Sequence, residues 1–239
     1  MPIMRLDKFF SSQEFFSRKD IKMFVKKGNI KINTIVAKSH EEKINTDKDT
    51  IYLNNEMVEY KPYLYIMLNK PQGVVSATNS KSHQTVLDLI PPNLFRSDLF
   101  PAGRLDKDTE GFVLITNDGD FAHHILSPKN HIEKRYIAVL DGRITPEGIA
   151  QIEAGITLAD DTICQTAKLT VLDDSDTPSV EVSICEGKYH QIKRMFGVLG
   201  LGVDYLKRIQ MGHLQLDPKL ELSECREILH KEIEEILAN

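Results

Sequence analysis

The chain has 239 residues, 41% hydrophobic and 27% charged, the balance of an ordinary globular protein that can fold as one large domain or two smaller ones. No apolar run approaches the roughly 20 residues needed to span a bilayer, and the first residues lack the basic-then-apolar pattern of a secretory signal, so a cytoplasmic protein with no membrane association is expected. The formal net charge of −5 weighs against nucleic acid at first sight, yet residues 1–31 hold 8 basic against 3 acidic side chains, a basic front end on an acidic body. Cys164, Cys185 and Cys225 are few, odd in number and widely spaced, which suits reduced thiols better than disulfides or a zinc cage.

A short first helix is expected around Leu6, Phe9 and Phe10, offering Arg5 and Lys8. Ser17 and Asp20 then form a start like a capping box, with Asp in place of the usual Glu. Ile21, Phe24 and Val25 recur at helical spacing, and Gly28 is placed to end that helix. Lys19, Lys22 and Lys26 fall on a different face from those apolar residues, with Arg18 and Lys27 nearby. Residues 29–33 begin a strand, and Ile51 to Leu53 with Met57-Val58 read as a hairpin around Asn54-Asn55. The pattern changes near Pro62, which marks a linker and places a domain boundary at 59/60. Tyr65 to Leu68 is a strand, and residues 69–73, NKPQG, a turn in which Lys70 needs no role. Thr85 to Leu89 starts a short helix that Pro91-Pro92 stops.

Residues 101–119, PAGRLDKDTEGFVLITNDG, are the stretch around which the rest is organised. The front half packs Arg104, Asp106, Lys107, Asp108 and Glu110 into seven residues; the back half, Phe112 to Thr116, is a short apolar run that reads as a buried strand. A charged loop feeding a buried strand holds a carboxylate at one fixed spot beside a core. Asp120 is placed to cap a helix running to Leu126. His123-His124 does not suggest a metal, because adjacent helical residues point about 100° apart and no partner ligand spacing exists. Residues 134–136, KRY, enter a strand; Thr145-Pro146 opens a helix through Ile149 and Ile152. Residues 167–172 and the alternation of Val180, Val182 and Ile184 read as two more strands. Ile192, Met195, Phe196 and Leu199 make the buried face of the next helix, with His190 and Arg194 nearly opposite and Lys193 on the flank. Residues 205–212 form a strand containing Leu206. A last helix, capped by Ser223, carries Ile228, Leu229, Ile233 and Ile236.

Gly103-Arg104-Leu105-Asp106 with the following Asp108-Thr109-Glu110-Gly111 resembles the central motif of the pseudouridine synthases. LNKPQGVVSAT, KRY, EGKYHQIKRMFGVLG and YLKRIQMG follow in the order of the branch that includes ribosomal small-subunit pseudouridine synthase A, and the front end resembles an S-four type RNA-binding domain. The resemblance implies an α+β protein: a small RNA-binding domain over residues 1–59, and a catalytic domain with an extended, mostly antiparallel sheet over 60–239. It implies Asp106 as the catalytic carboxylate, Tyr136 stacked on the uracil, Lys193 paired with Asp106 (Arg194 as the alternate), Leu206 against the base and Arg104 supporting the everted nucleotide. Arg5, Lys8, Arg18, Lys19, Lys22, Lys26, Lys27, His190 and Arg194 would contact RNA, where cations on phosphates position without specifying sequence.

Burial alone raises a carboxyl pKa and a nearby cation lowers it, so a closed pocket needs a cation beside Asp106. No metal or cofactor is expected, since the base stays in the pocket and no redox step is involved. A monomer acting on small-subunit ribosomal RNA, or on a ribosomal assembly intermediate, is expected. Alternatives are a large-subunit ribosomal RNA synthase, a non-catalytic RNA-binding assembly factor, and a glycoside hydrolase, which would need Asp108 or Glu110 as a second catalytic carboxylate.

Overall fold

A computed structural model describes residues 3–13 and 16–238. The chain divides into two compact units, residues 1–63 together with 96–98, and residues 64–95 together with 99–239. The sequence places the boundary at 59/60; here it follows Tyr63. Among the described residues no helix is long and apolar enough to cross a membrane.

In the first unit β1 (Ile3–Arg5) runs into α1 (Leu6–Ser11), then come α2 (Arg18–Lys26), β2 (Ile30–Ile32), β3 (Ile35–Val36), β4 (Lys43–Asn45), β5 (Ile51–Leu53) and β6 (Glu56–Val58). Strands β3-β2-β5-β6 form one antiparallel sheet, and β1 pairs with β4. Leu6, Phe9 and Phe10 of α1 and Ile21 of α2 bury against Ile30, Ile44 and Ile51. Each such side chain contributes about 1.5–3 kcal/mol by leaving water. The capping box forms: Asp20 N–H donates to Ser17 Oγ, and the Asp20 carboxylate accepts from Ser17 N–H. Asn54 and Asn55, at φ 51° and 69°, make the two-residue turn whose twist matches the β5–β6 strands.

The second unit contains β7 (Tyr65–Lys70), β8 (Phe100–Pro101), β9 (Glu110–Thr116), α3 (Gly119–Leu126), β10 (Lys134–Leu140), α4 (Pro146–Ala154), β11 (Lys168–Asp173), β12 (Ser179–Ile184), α5 (Gln191–Val198), β13 (Val203–Met211), β14 (Leu214–Gln215), β15 (Cys225–Glu227) and α6 (His230–Leu237). Its nine strands form one sheet ordered β11-β12-β10-β13-β9-β7-β15, with β14 on β13 and β8 on β9. Every pairing is antiparallel except β13–β9. The mostly antiparallel α+β architecture expected from the sequence is therefore present.

Strand β9 is apolar along its length because both faces are covered. Phe112 and Leu114 pack with Ala122 and Ile125 of α3 and Ile236 of α6. Val113 and Ile115 join Ile66 and Leu68 in the cluster that includes Ile152 of α4 and Ile192, Met195 and Phe196 of α5. A strand buried on two sides cannot alternate, which is why the run reads as continuous.

Three local expectations are corrected. Helix α3 is capped by Asp118, whose carboxylate accepts from Phe121 N–H at 3.0 Å, not by Asp120. Residues 225–227 are a strand pairing with Ile66, Met67 and Leu68 of β7, so α6 starts only at His230 and Ser223 caps nothing. Asn69 and Lys70 belong to β7 and pair with Phe112 and Gly111 of β9 rather than to a turn.

Candidate active site

The parallel β13–β9 junction has two residue pairs, Lys207 with Glu110 and Arg208 with Gly111. Gly111 has φ +100°, and a Cβ built there would lie 2.2 Å from the Arg208 carbonyl oxygen. Only glycine lets the strands approach this closely, which is a physical reason for the glycine in DTEG. Residues 102–109 enter β9 at this seam, where the sheet changes from antiparallel to parallel.

That loop has no helix or strand of its own, so its backbone groups need other partners. Ala102 N–H donates to Leu114 O at 2.7 Å, and Gly73 N–H donates to Lys107 O at 2.8 Å. Buried Ser76 serves Leu105 twice, its Oγ accepting from the N–H and donating to the carbonyl, both at 3.1 Å. Lys70 does the most. Its side chain is fully buried and its ammonium donates to the carbonyls of Pro71 (3.0 Å), Asp106 (3.0 Å), Lys107 (3.3 Å) and Thr109 (2.7 Å). Burial pulls its pKa down to about 8, against the upward pull of Asp108, Asp106 and Glu110. The sequence reading gave Lys70 no role. The available signal was a lysine that directly continues an apolar strand whose next residue is proline.

Beside this loop lies a cleft of about 800 Å³, lined among others by Arg104, Asp106, Lys134, Tyr136, His190 and Arg208. A recess of about 60 Å³ shares Arg104, Asp106, Tyr136 and His190 and adds Lys193 and Leu206. Six of the residues singled out in the sequence thus meet in one place. Asp106 presents its side chain 27% exposed, neither sealed in nor facing open solvent. Tyr136 and Leu206, on neighbouring strands β10 and β13, are buried into the core below and form an apolar floor.

The charge pairing differs from expectation. Lys193 Nζ lies 2.6 Å from Asp108 Oδ1, not on Asp106. Thr109 N–H donates to Asp106 O at 3.1 Å, a turn that separates the two carboxylates; Asp108 is the one that takes the α5 lysine while Asp106 lines the cleft. The hydrogen bond from Lys193 holds the Asp108 carboxyl below its usual pKa. Asp106 is met instead by His190, whose Nε2 lies 3.4 Å from Oδ1. His190 sits at the start of α5 at φ 47°, its ring stacked 3.9 Å from that of Tyr189. Arg194, the alternate partner and RNA-contact candidate, is instead held by Asp160 at 2.5 Å and donates to Tyr189 O at 3.3 Å.

Within the first unit Lys8, Arg18, Lys19, Lys22, Lys26 and Lys27 are exposed. Arg5 departs from its expected role. Its guanidinium donates at 3.0 and 2.7 Å to Asp7, which is 3% exposed, and at 2.9 Å to Glu41, so its charge is already matched.

Residues 64–197 match the family model for RNA pseudouridylate synthase. The chain is 43% identical to an RNA pseudouridine synthase of Bacillus subtilis (strain 168), over 96% of this chain and 97% of that one. Ribosomal small subunit pseudouridine synthase A is 37% identical in Haemophilus influenzae and 34% in Escherichia coli (strain K12), each covering 98% of this chain and 100% of the relative. A crystal structure of a pseudouridylate synthase, 37% identical, superposes with a TM-score of 0.68 over 98% of this chain and 99% of the other. A full-length match at these identities, with a cleft that gathers the central-motif aspartate and its flanking residues, leaves one assignment: the chain belongs to the RNA pseudouridylate synthases, isomerases that act on RNA, in the branch of ribosomal small-subunit pseudouridine synthase A.

Proposed function

We propose that the chain converts one uridine of small-subunit ribosomal RNA to pseudouridine, as a cytoplasmic monomer working without metal or cofactor. The observation that carries the reading is the single cleft holding Asp106, Tyr136 and Leu206 on a rigid sheet, in a chain that is 34–37% identical over its whole length to synthases named for the small ribosomal subunit. The reaction breaks the bond between uracil N1 and ribose C1′, turns the base, and joins C5 to C1′. The C5 proton leaves and N1 gains one, so atoms balance with no second substrate. The nucleotide must first leave its stack, which costs a few kcal/mol.

In this reading Asp106 is the catalytic carboxylate, Tyr136 and Leu206 hold the uracil from below, and Arg104 supports the everted nucleotide from the RNA side. Around Asp106, His190 Nε2 lies 3.4 Å from the carboxylate and the buried ammonium of Lys70 donates to the backbone carbonyl. Lys193 acts one step removed, fixing Asp108 and with it the loop. Residues 1–59 serve as the RNA-gripping domain. There Lys19, Lys22 and Lys26 supply a cationic helix face for phosphates, which contributes salt-dependent affinity without sequence choice. Sequencing the ribosomal RNA of a deletion strain after carbodiimide treatment tests the assignment. One pseudouridine missing from small-subunit RNA is expected; a loss confined to large-subunit RNA, or no loss, overturns it.

A further inference from the structure

The cleft continues past the uracil recess, and its floor changes character there. Tyr136 on β10 and Leu206 on β13 line the recess that holds Asp106. Two positions along each strand, Lys134 and Arg208 line the same cleft. Both are almost wholly buried, at 4% and 3% exposure. Lys134 Nζ donates to Ile132 O at 2.9 Å, and Arg208 Nε donates to Phe112 O at 2.7 Å. The buried second amino group of Arg208 has no hydrogen-bond partner.

Among the described residues neither cation has an ion pair. Of the titratable neighbours that act on Lys134, Arg208 opposes its charge, and Cys185 is a thiol that burial holds in its neutral form. Glu186 lines the cleft too, but its carboxylate is taken by Lys188, by Gln191 Nε2 at 2.6 Å and by Gln165 N–H at 2.9 Å. Two buried like charges with nothing opposite are unfavourable, because each has lost its water without gaining a counter-charge. An arriving anion would supply that counter-charge. Strand register fixes where it belongs: Arg208 lies opposite Tyr136, and Lys134 is two residues further along β10, about 7 Å or roughly one sugar beyond a base lying on Tyr136 and Leu206.

We propose that Lys134 and Arg208 form a phosphate subsite, taking a phosphodiester of the RNA strand next to the everted uridine. The proposal rests on the reading that this cleft receives the uridine. The phosphate neutralises the buried pair only once the strand is seated, so the contact rewards docking of the target nucleotide rather than RNA at large.

The test uses the full chain and ribosomal RNA extracted from a strain lacking it. Binding is measured across salt concentrations, product formation by tritium release from C5-labelled uridine, and folding by thermal melting. Lys134→Met is the deciding variant, because Arg208→Met also removes the bond to Phe112 at the seam and can fail to fold. Lys134→Met is expected to melt cooperatively, to raise KM at least tenfold with a smaller change in kcat, and to make log Kd against log salt shallower by about 0.7, the slope of one single-strand phosphate. Lys134→Arg should restore both slope and KM. An unchanged salt slope in a folded Lys134→Met variant would show a neutral or purely structural role and overturn the subsite. Wild-type inactivity on this RNA would instead overturn the ribosomal assignment, while the slope, which needs no turnover, still decides the subsite.

Discussion

Lys70→Met keeps an unbranched side chain one atom shorter and removes the charge from beneath the Asp106 loop. Of the four carbonyls it serves, two keep a second donor: Asp106 O has Thr109 N–H at 3.1 Å and Lys107 O has Gly73 N–H at 2.8 Å. The carbonyls of Pro71 and Thr109 lose theirs, at about 1–3 kcal/mol each. Against this, the variant no longer buries an ammonium whose pKa falls from 10.5 to about 8, a burden of about 3 kcal/mol at neutral pH. The two terms nearly cancel, so global stability should change by less than about 3 kcal/mol, or roughly 10 °C in Tm. Activity has no such compensation. A loop displaced by about 1 Å at the reacting centre loses on the order of 100-fold in kcat.

The pH dependence separates the two effects. Unfolded, Lys70 keeps its proton up to 10.5; folded, only up to about 8. Between those values the unfolded chain binds more protons, so wild-type stability relative to the variant rises with pH, by up to about 1.4 kcal/mol per unit. Wild-type turnover should fall over the same range as the loop loses its ammonium. Chemical denaturation of both proteins from pH 7 to 10, with tritium release alongside, provides the measurement. A flat stability difference, or a variant kcat within threefold of wild type, would refute the reasoning.

Asp106→Asn should abolish product while RNA binding stays within about twofold, and measurable turnover would remove Asp106 from the chemistry. If Lys193 acts through Asp108, Asp108→Asn and Lys193→Met should lower kcat to a similar degree, and the double variant should be no worse than either. A fully active Asp108→Asn beside an inactive Lys193→Met would return Lys193 to Asp106. Neutralising Lys19, Lys22 and Lys26 together should flatten the salt slope of RNA binding by about 2, at about 0.7 per single-strand phosphate; an unchanged slope would rule that helix face out. Gly111→Ala, with its Cβ 2.2 Å from Arg208 O at φ +100°, should open the β13–β9 seam and show as a lowered Tm or insoluble protein. A Tm within about 2 °C of wild type would mean the seam can yield.

What the sequence determined by itself is whatever local periodicity, capping and turn chemistry encode. The helix of Arg18–Lys26 was legible from Ser17, Asp20 and Gly28, and the β5–β6 hairpin from Asn54-Asn55. Strand β9 was legible because double-sided burial writes an unbroken apolar run. Asp106, Tyr136, Lys193 and Leu206 were singled out through motif order, and all four line one recess. Their partners were not. Which carboxylate a lysine on α5 reaches depends on how the loop turns at Thr109 and how that helix docks, contacts made between segments some 85 positions apart. Periodicity missed β15 for the same reason, since a three-residue strand forms only because the β7 edge is there to receive it. Lys70 reads as a turn residue until the sheet buries it and the loop carbonyls close around it. Charge pairing and burial are decided by what comes near in space, and for these residues only the assembled sheet decides that.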